Sequence, residues 1–410
     1  MIEYLSYSSY KAYWAESMAQ PVNIKPALIR WAIGRSGLIE DDLRRAFPNL
    51  DQWERGERRP TLRQLEQFAS KTMTPLAYLF LEDPPDEQLP IPDFRTVGDT
   101  SIERPSPNLI ETIQTMQRRQ AWMREYVLED GQPPLKFVGS AQSARNIVSL
   151  AARIREALGL NVDWAEQHRT WEDALRTLRN SAERIGVLVA TSSVVGLNNH
   201  RPLDPEEFRG FVLCDDHAPF IFVNGADSKS AQMFTLAHEL VHVWIGRGGL
   251  FNLIKTMPHS DSTERFCNQT AAEFLVPAHK LRERWHEVKG TSTPFKTIAG
   301  WFKVSPVAAA RRALDLNLIN KAQFFQFYEQ DQEDWHRRKT EEKKKAKKRG
   351  PNFYDVQDLR LGKRFAYAVI RAAREGRLLY RDAYQLTDLK GETFTKYAER
   401  LRQRMIDERQ

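Results

Sequence analysis

The chain has 410 residues, 41% of them hydrophobic, and a formal net charge of +7. That length and apolar share support more than one hydrophobic core and two to three domains. No apolar run reaches the ~18 residues a membrane span requires, the start Met1-Ile2-Glu3-Tyr4 lacks a signal peptide's charged and apolar regions, and two cysteines, Cys214 and Cys267, cannot build a disulfide framework. These exclusions leave a cytoplasmic protein with no membrane partner as the expectation.

The first segments to consider are Pro26–Ala32, Glu40–Phe47 and Trp53–Leu65. With Trp53-Glu54-Arg55-Gly56 and Pro60-Thr61, they resemble the helix-turn-helix module of phage-repressor type. Between Leu43 and Trp53, however, there is room for only a stub of the recognition helix that would enter a DNA groove. From Gln20 to Glu82 ten Lys/Arg face eight Asp/Glu, a surplus of two, which is no phosphate-binding face. The module, with its connector residues 1–100, reads as a docking or structural domain, and DNA is the less favoured partner. A proline-rich connector, Asp83–Phe94, follows it. A helix then runs over Pro107–Leu128, capped by Ser106.

Helix-like stretches around Ala141–Leu158 and Trp171–Ile185 lead into sheet. Gly186–Ala190 reads as a strand, and Phe208–Cys214 and Ala218–Asn224 as a pair of strands around the turn Asp215-Asp216-His217. Ala218–Asn224 is the candidate edge strand, where an extended peptide would pair by β-augmentation. His217 has two readings, an oxyanion donor or a solvated turn residue.

The segment His238-Glu239-Leu240-Val241-His242 carries the chemistry. Met233, Leu236 and Ala237 and the absence of proline predict a helix before it, and Gly246, Gly248 and Gly249 would end it. Residues four apart lie on one helical face, so both imidazoles can reach one zinc ion while Glu239 stands beside them as a base for water. A second helix is predicted over Thr263–Leu275, with Ser262 and Thr263 as N-caps and Pro277 beyond its end. Tetrahedral catalytic zinc takes three protein ligands and keeps one open position. Glu264 is the candidate third ligand, with Asn268 one turn on as the group that orients an imidazole. Glu273 is a rival, but nine residues of helix place it on the face opposite Glu264. Cys267 reads either as a thiolate ligand or as a small buried apolar residue.

These two segments together resemble the ImmA/IrrE-type metallopeptidases. Glu264, Asn268, Ala271, Ala272, Glu273, Leu275 and Pro277 match that family's second helix, and Ala231–Ala237 matches the approach to its first. Cys267, Thr270, Phe274 and Val276 depart from the pattern in packing positions. The resemblance covers roughly residues 20 to 320. It implies an α+β fold with a zincin-like core, a small mixed sheet and an edge strand, and one Zn2+ per chain. It also implies an endopeptidase whose substrate is a protein partner, a transcriptional repressor or antitoxin. In that chemistry zinc acidifies water and polarises the scissile carbonyl, and Glu239 moves the proton.

Past the metal segments, Ile298–Ile319 resembles the family's small helical closing element, completing a domain over residues 101–335. Arg337–Arg349 holds nine basic residues and two acidic ones, a surplus of seven that leaves the rest of the chain neutral. It reads as a solvated linker (residues 336–352), with a nucleic-acid tether as the alternative. Residues 353–410 form a helical appendage with stripes Phe365, Val369, Ala373 and Phe394, Tyr397, Leu401. It either packs on the body or, detached by the linker, recognises a partner. The rivals to the enzyme reading are a transcription regulator or antitoxin-like binder with the zincin domain as sensor or scaffold, and a structural zinc protein.

Overall fold

A computed structural model describes residues 20–87, 89, 91, 105–251, 262–344 and 352–407. They fall into two compact units, the first within residues 1–90 and 101–111, the second within residues 91–100 and 112–410. Residues 92–94 of the connector and 345–349 of the basic run lie outside the described residues.

In the first unit, α1 (Pro26–Ser36) starts with proline at its first position and stops at Gly37, whose φ of 62° suits glycine. It packs Leu28, Ile29 and Ala32 against α2 (Glu40–Ala46), α3 (Leu50–Arg55) and α4 (Leu62–Lys71). Phe47, Trp53 and Phe68 close the core, with ring centroids 5.6 to 6.2 Å apart. Thr61 and Gln64 form a reciprocal capping box at the start of α4, worth about 1 kcal/mol. Helix α3 has six residues, under two turns. Arg44 is held by Glu40 at 2.8 Å and Asp51 at 3.0 Å, so its charge is consumed locally.

Helix α5 (Pro107–Glu129) is capped as expected, Leu109 N–H donating to Ser106 Oγ at 3.1 Å. In the second unit, α6 (Ile147–Ala157) and α7 (Trp171–Arg184) are capped by Asn146 and Thr170. Next come β1 (Leu188–Ser192), β2 (Gly210–Leu213) and β3 (Phe220–Asn224), then α8 (Lys229–Ile245), β4 (Gly249–Phe251) and α9 (Ser262–Leu275). The four-stranded sheet has the order β1-β3-β2-β4. β1 runs parallel to β3, and β2 is antiparallel to both β3 and β4. Helix α8 packs on β2 and β3, with α7 and α9 also against it.

The strand expected at the edge is therefore central. β3 pairs on both sides, and all five of its residues are buried. The physical reason is visible in Phe220-Ile221-Phe222-Val223, a continuous apolar run instead of the alternation of a half-exposed strand. β1 and β4 are the two edges.

Helices α10 (Ala278–Val288), α11 (Pro294–Phe302), α12 (Pro306–Asp315) and α13 (Lys321–Lys344) follow. The C-terminal helices are α14 (Phe353–Leu361), α15 (Lys363–Arg374), α16 (Tyr380–Thr387) and α17 (Gly391–Asp407). This piece is not detached. α14 packs along β1, and α15 contacts α7. Arg119 of α5, 4% exposed, donates to the carbonyls of Leu386 and Arg360 and to Asp388 Oδ2, at 2.9 to 3.0 Å. A charged linker does not detach a segment whose own apolar stripe, here Phe365, Val369 and Ala373, is fully used in burial.

Candidate metal centre

Helix α8 is capped by Ser228, whose Oγ accepts from Ala231 N–H at 3.2 Å, and ends at Gly246 with φ 77°. Every residue from Thr235 to Ile245 is buried, so this part of α8 sits inside its domain, covered on every side. Gly246 serves packing as well as termination, since a Cβ there would lie 2.9 Å from Gly139 Cα. The 139–141 segment in turn satisfies the last carbonyls of α8, through Gly139 N–H to Val243 O and Ala141 N–H to Trp244 O.

Helical spacing brings His238 and His242 side by side, with their Nε2 atoms 3.0 Å apart. Helix α9 delivers Glu264 against both, Oε2 at 3.2 Å from His238 Nε2 and Oε1 at 3.0 Å from His242 Nε2. The three side chains are 0 to 2% exposed, and they form the one His/Cys/Asp/Glu cluster of metal-binding geometry among the described residues. A tetrahedron with ligand bonds of 2.0–2.1 Å has edges of about 3.3 Å, close to these separations. Two imidazoles and one carboxylate converging out of water are the donor set of a divalent cation, and no fourth His, Cys, Asp or Glu joins the cluster among the described residues. The residues present fit zinc.

Burial drives His238 down to about 4, opposed by Glu264 and, to a smaller degree, by hydrogen bonding with Asn268. A neutral imidazole is the form that ligates. Burial alone would raise the Glu264 carboxyl, but hydrogen bonds with His238 and His242 outweigh it and hold it far below the carboxylate range. Asn268, expected to orient one of the two imidazoles, acts on His238. Phe234, one turn before His238, stacks on that ring with centroids 6.5 Å apart.

Glu239 stands apart from this network. It is completely buried, and neither carboxylate oxygen has a hydrogen-bond partner among the described residues. Burial first, and the charge on Glu264 second, push its pKa well above the usual value. A residue the sequence reading passed over makes room for it. Gly210 of β2 has no Cβ, and one placed there would lie 2.5 Å from Thr235 Cγ2, 2.8 Å from Phe222 O and 3.4 Å from Glu239 Oε1. A glycine inside a strand is the signal that could have found it.

The rival ligands go elsewhere. Glu273 accepts from Ala278 N–H and Arg312 and is remote from the imidazoles, as the helix rotation requires. Cys267 is fully buried within the hydrophobic core. His217 lies in the β2–β3 turn, its N–H on Asp215 Oδ1 at 2.8 Å, and does not join the cluster.

A search of curated proteins finds no match to this chain. Residues 361–400, from the end of α14 into α17, match a domain of unknown function. Residues 182–314, from the end of α7 to the end of α12, match the IrrE N-terminal-like domain, a peptidase family. The stretch that holds the whole His238, Glu239, His242 and Glu264 constellation is thus similar to a metallopeptidase-type hydrolase of the ImmA/IrrE kind.

Proposed function

We propose that this chain is a zinc-dependent endopeptidase that cleaves a protein partner, a transcriptional repressor or antitoxin. The observation that carries the reading is the convergence of His238, His242 and Glu264 beside a buried carboxyl, Glu239, that has no hydrogen-bond partner among the described residues. A purely structural zinc site needs no such base and closes its fourth position with a protein donor.

Zinc held by His238, His242 and Glu264 would supply Lewis-acid polarisation of the scissile carbonyl and bring a water's pKa toward neutrality. Glu239 receives the attacking water's proton on a carboxylate oxygen and returns it to the departing amine. Asn268 orients His238, and Gly210 keeps β2 close over the Glu239 side of α8. β4, the edge strand that follows α8, would pair the extended substrate backbone. The four central side chains are at most 2% exposed. For the first unit, the short α3 and the paired Arg44 favour protein docking over DNA.

The test is incubation of the full chain and zinc with the product of the neighbouring gene, followed by mass spectrometry. A single cleavage is expected, and it should vanish in Glu239→Gln while bound zinc stays at one per chain. Cleavage by that variant at the parent rate would overturn the assignment.

A further inference from the structure

Helix α9 ends in a joint of buried charge that the metal chemistry does not use. Arg155 of α6, 7% exposed, donates through Nη1 to the carbonyls of Glu273 and Phe274, each at 3.0 Å. Arg312 of α12, 8% exposed, donates through Nε to Val276 O at 3.0 Å and through Nη2 to the Glu273 carboxylate. That carboxylate, 2% exposed, also accepts from Ala278 N–H at 3.2 and 3.3 Å, the first amide of α10. Each charge answers a helix end, two guanidiniums at the carbonyl terminus of α9 and one carboxylate at the amide terminus of α10.

Such a joint adds little net stability over apolar packing, because desolvation offsets most of the Coulomb attraction. What it does specify is direction. Four hydrogen-bonded groups fix the axial and rotational setting of α9, whose opposite end carries Glu264 nine residues away, about 13 Å along a stiff helix. We propose that Glu273, with Arg312 and Arg155, is a positioning residue for the metal centre, setting where Glu264 meets the two imidazoles. This rests on reading the cluster as a zinc site.

The experiment measures Zn2+ affinity by chelator competition, and thermal melting of the metal-free form, in full-length variants. Glu273→Asp keeps the charge but shortens its reach by one methylene, and should weaken zinc binding about tenfold. The double variant Glu273→Leu with Arg312→Met should melt within a few degrees of the parent yet bind zinc at least tenfold more weakly. Both affinities at the parent level would overturn the proposal, and Glu273→Asp decides it if the double variant does not fold. Glu264→Ala is the control. If the parent binds no zinc, or Glu264→Ala binds it as the parent does, the metal-site reading itself falls, which is a different failure.

Discussion

Two buried carboxyls without well-formed hydrogen bonds among the described residues sit in different parts of the second unit. Glu239 faces the metal cluster; Glu183, on α7, faces the start of α15. Glu183 is 5% exposed, and it points toward the first-turn amides of Lys363 and Arg364 without closing a well-formed bond to either. Burial raises it to about 7, with Arg179 opposing. The same physical condition thus serves two ends. Beside two imidazoles and Glu264, an uncompensated carboxyl is, on the proposed function, the proton carrier. Beside a helix start and a guanidinium it is part of a joint that holds the C-terminal helices to β1 and α7. Burial and a raised pKa therefore do not identify a catalytic group; its neighbours do.

The largest expected effect separates the pair directly. Glu239→Gln should lower peptide hydrolysis about a thousandfold, the upper range for loss of a general base, whereas Glu183→Gln should leave hydrolysis within a factor of two. Equal losses in a cleavage assay would collapse the distinction. Next in size, Glu264→Ala should reduce zinc affinity by about a hundredfold or more in chelator competition, with no counterpart for any substitution at the α7–α15 joint.

The joint has its own sensitive point in Gly362. Its φ is 76°, and a Cβ there would lie 2.6 Å from Glu183 Oε1 and 2.7 Å from the Val189 carbonyl oxygen of β1. Gly362→Ala should cost on the order of 2–4 kcal/mol in urea unfolding and leave zinc affinity unchanged. A smaller, pH-dependent effect comes from Glu183 itself. Its folded-state pKa of about 7 lies above the ordinary carboxylate value, so its proton stabilises the fold fully below about pH 4.5, and that contribution is lost as pH rises through 7. The loss is on the order of 3 kcal/mol, and Glu183→Gln should flatten it. Urea midpoints compared between pH 5 and pH 8 check this, and an unchanged slope would remove the carboxyl from the joint.

Much of the centre was legible in the chain. The four-residue spacing of His238 and His242, the stop at Gly246 and the opposite-face placement of Glu264 and Glu273 all follow from helix periodicity, which is local. The short α3 and the Ser106 cap were legible for the same reason. The position of Ala218–Asn224 was not. Its residues state that a strand forms, but pairing depends on which distant segment inserts beside it, and β1 comes from some thirty residues upstream. The continuous apolar run was a signal for burial on both faces that the edge reading underweighted. The docking of residues 353–407 was hidden likewise, because Arg119, Glu183 and Gly362 act across hundreds of residues and none carries a local pattern.

By itself the sequence determined which side chains share a helical face, since rise and twist per residue are constants of the backbone. Tertiary structure alone decided the rest: that α9 presents Glu264 to both imidazoles, that β3 is central, and that the terminal helices close over β1. Those outcomes depend on contacts between segments far apart in the chain, whose register is set by packing and by the pairing of buried charge.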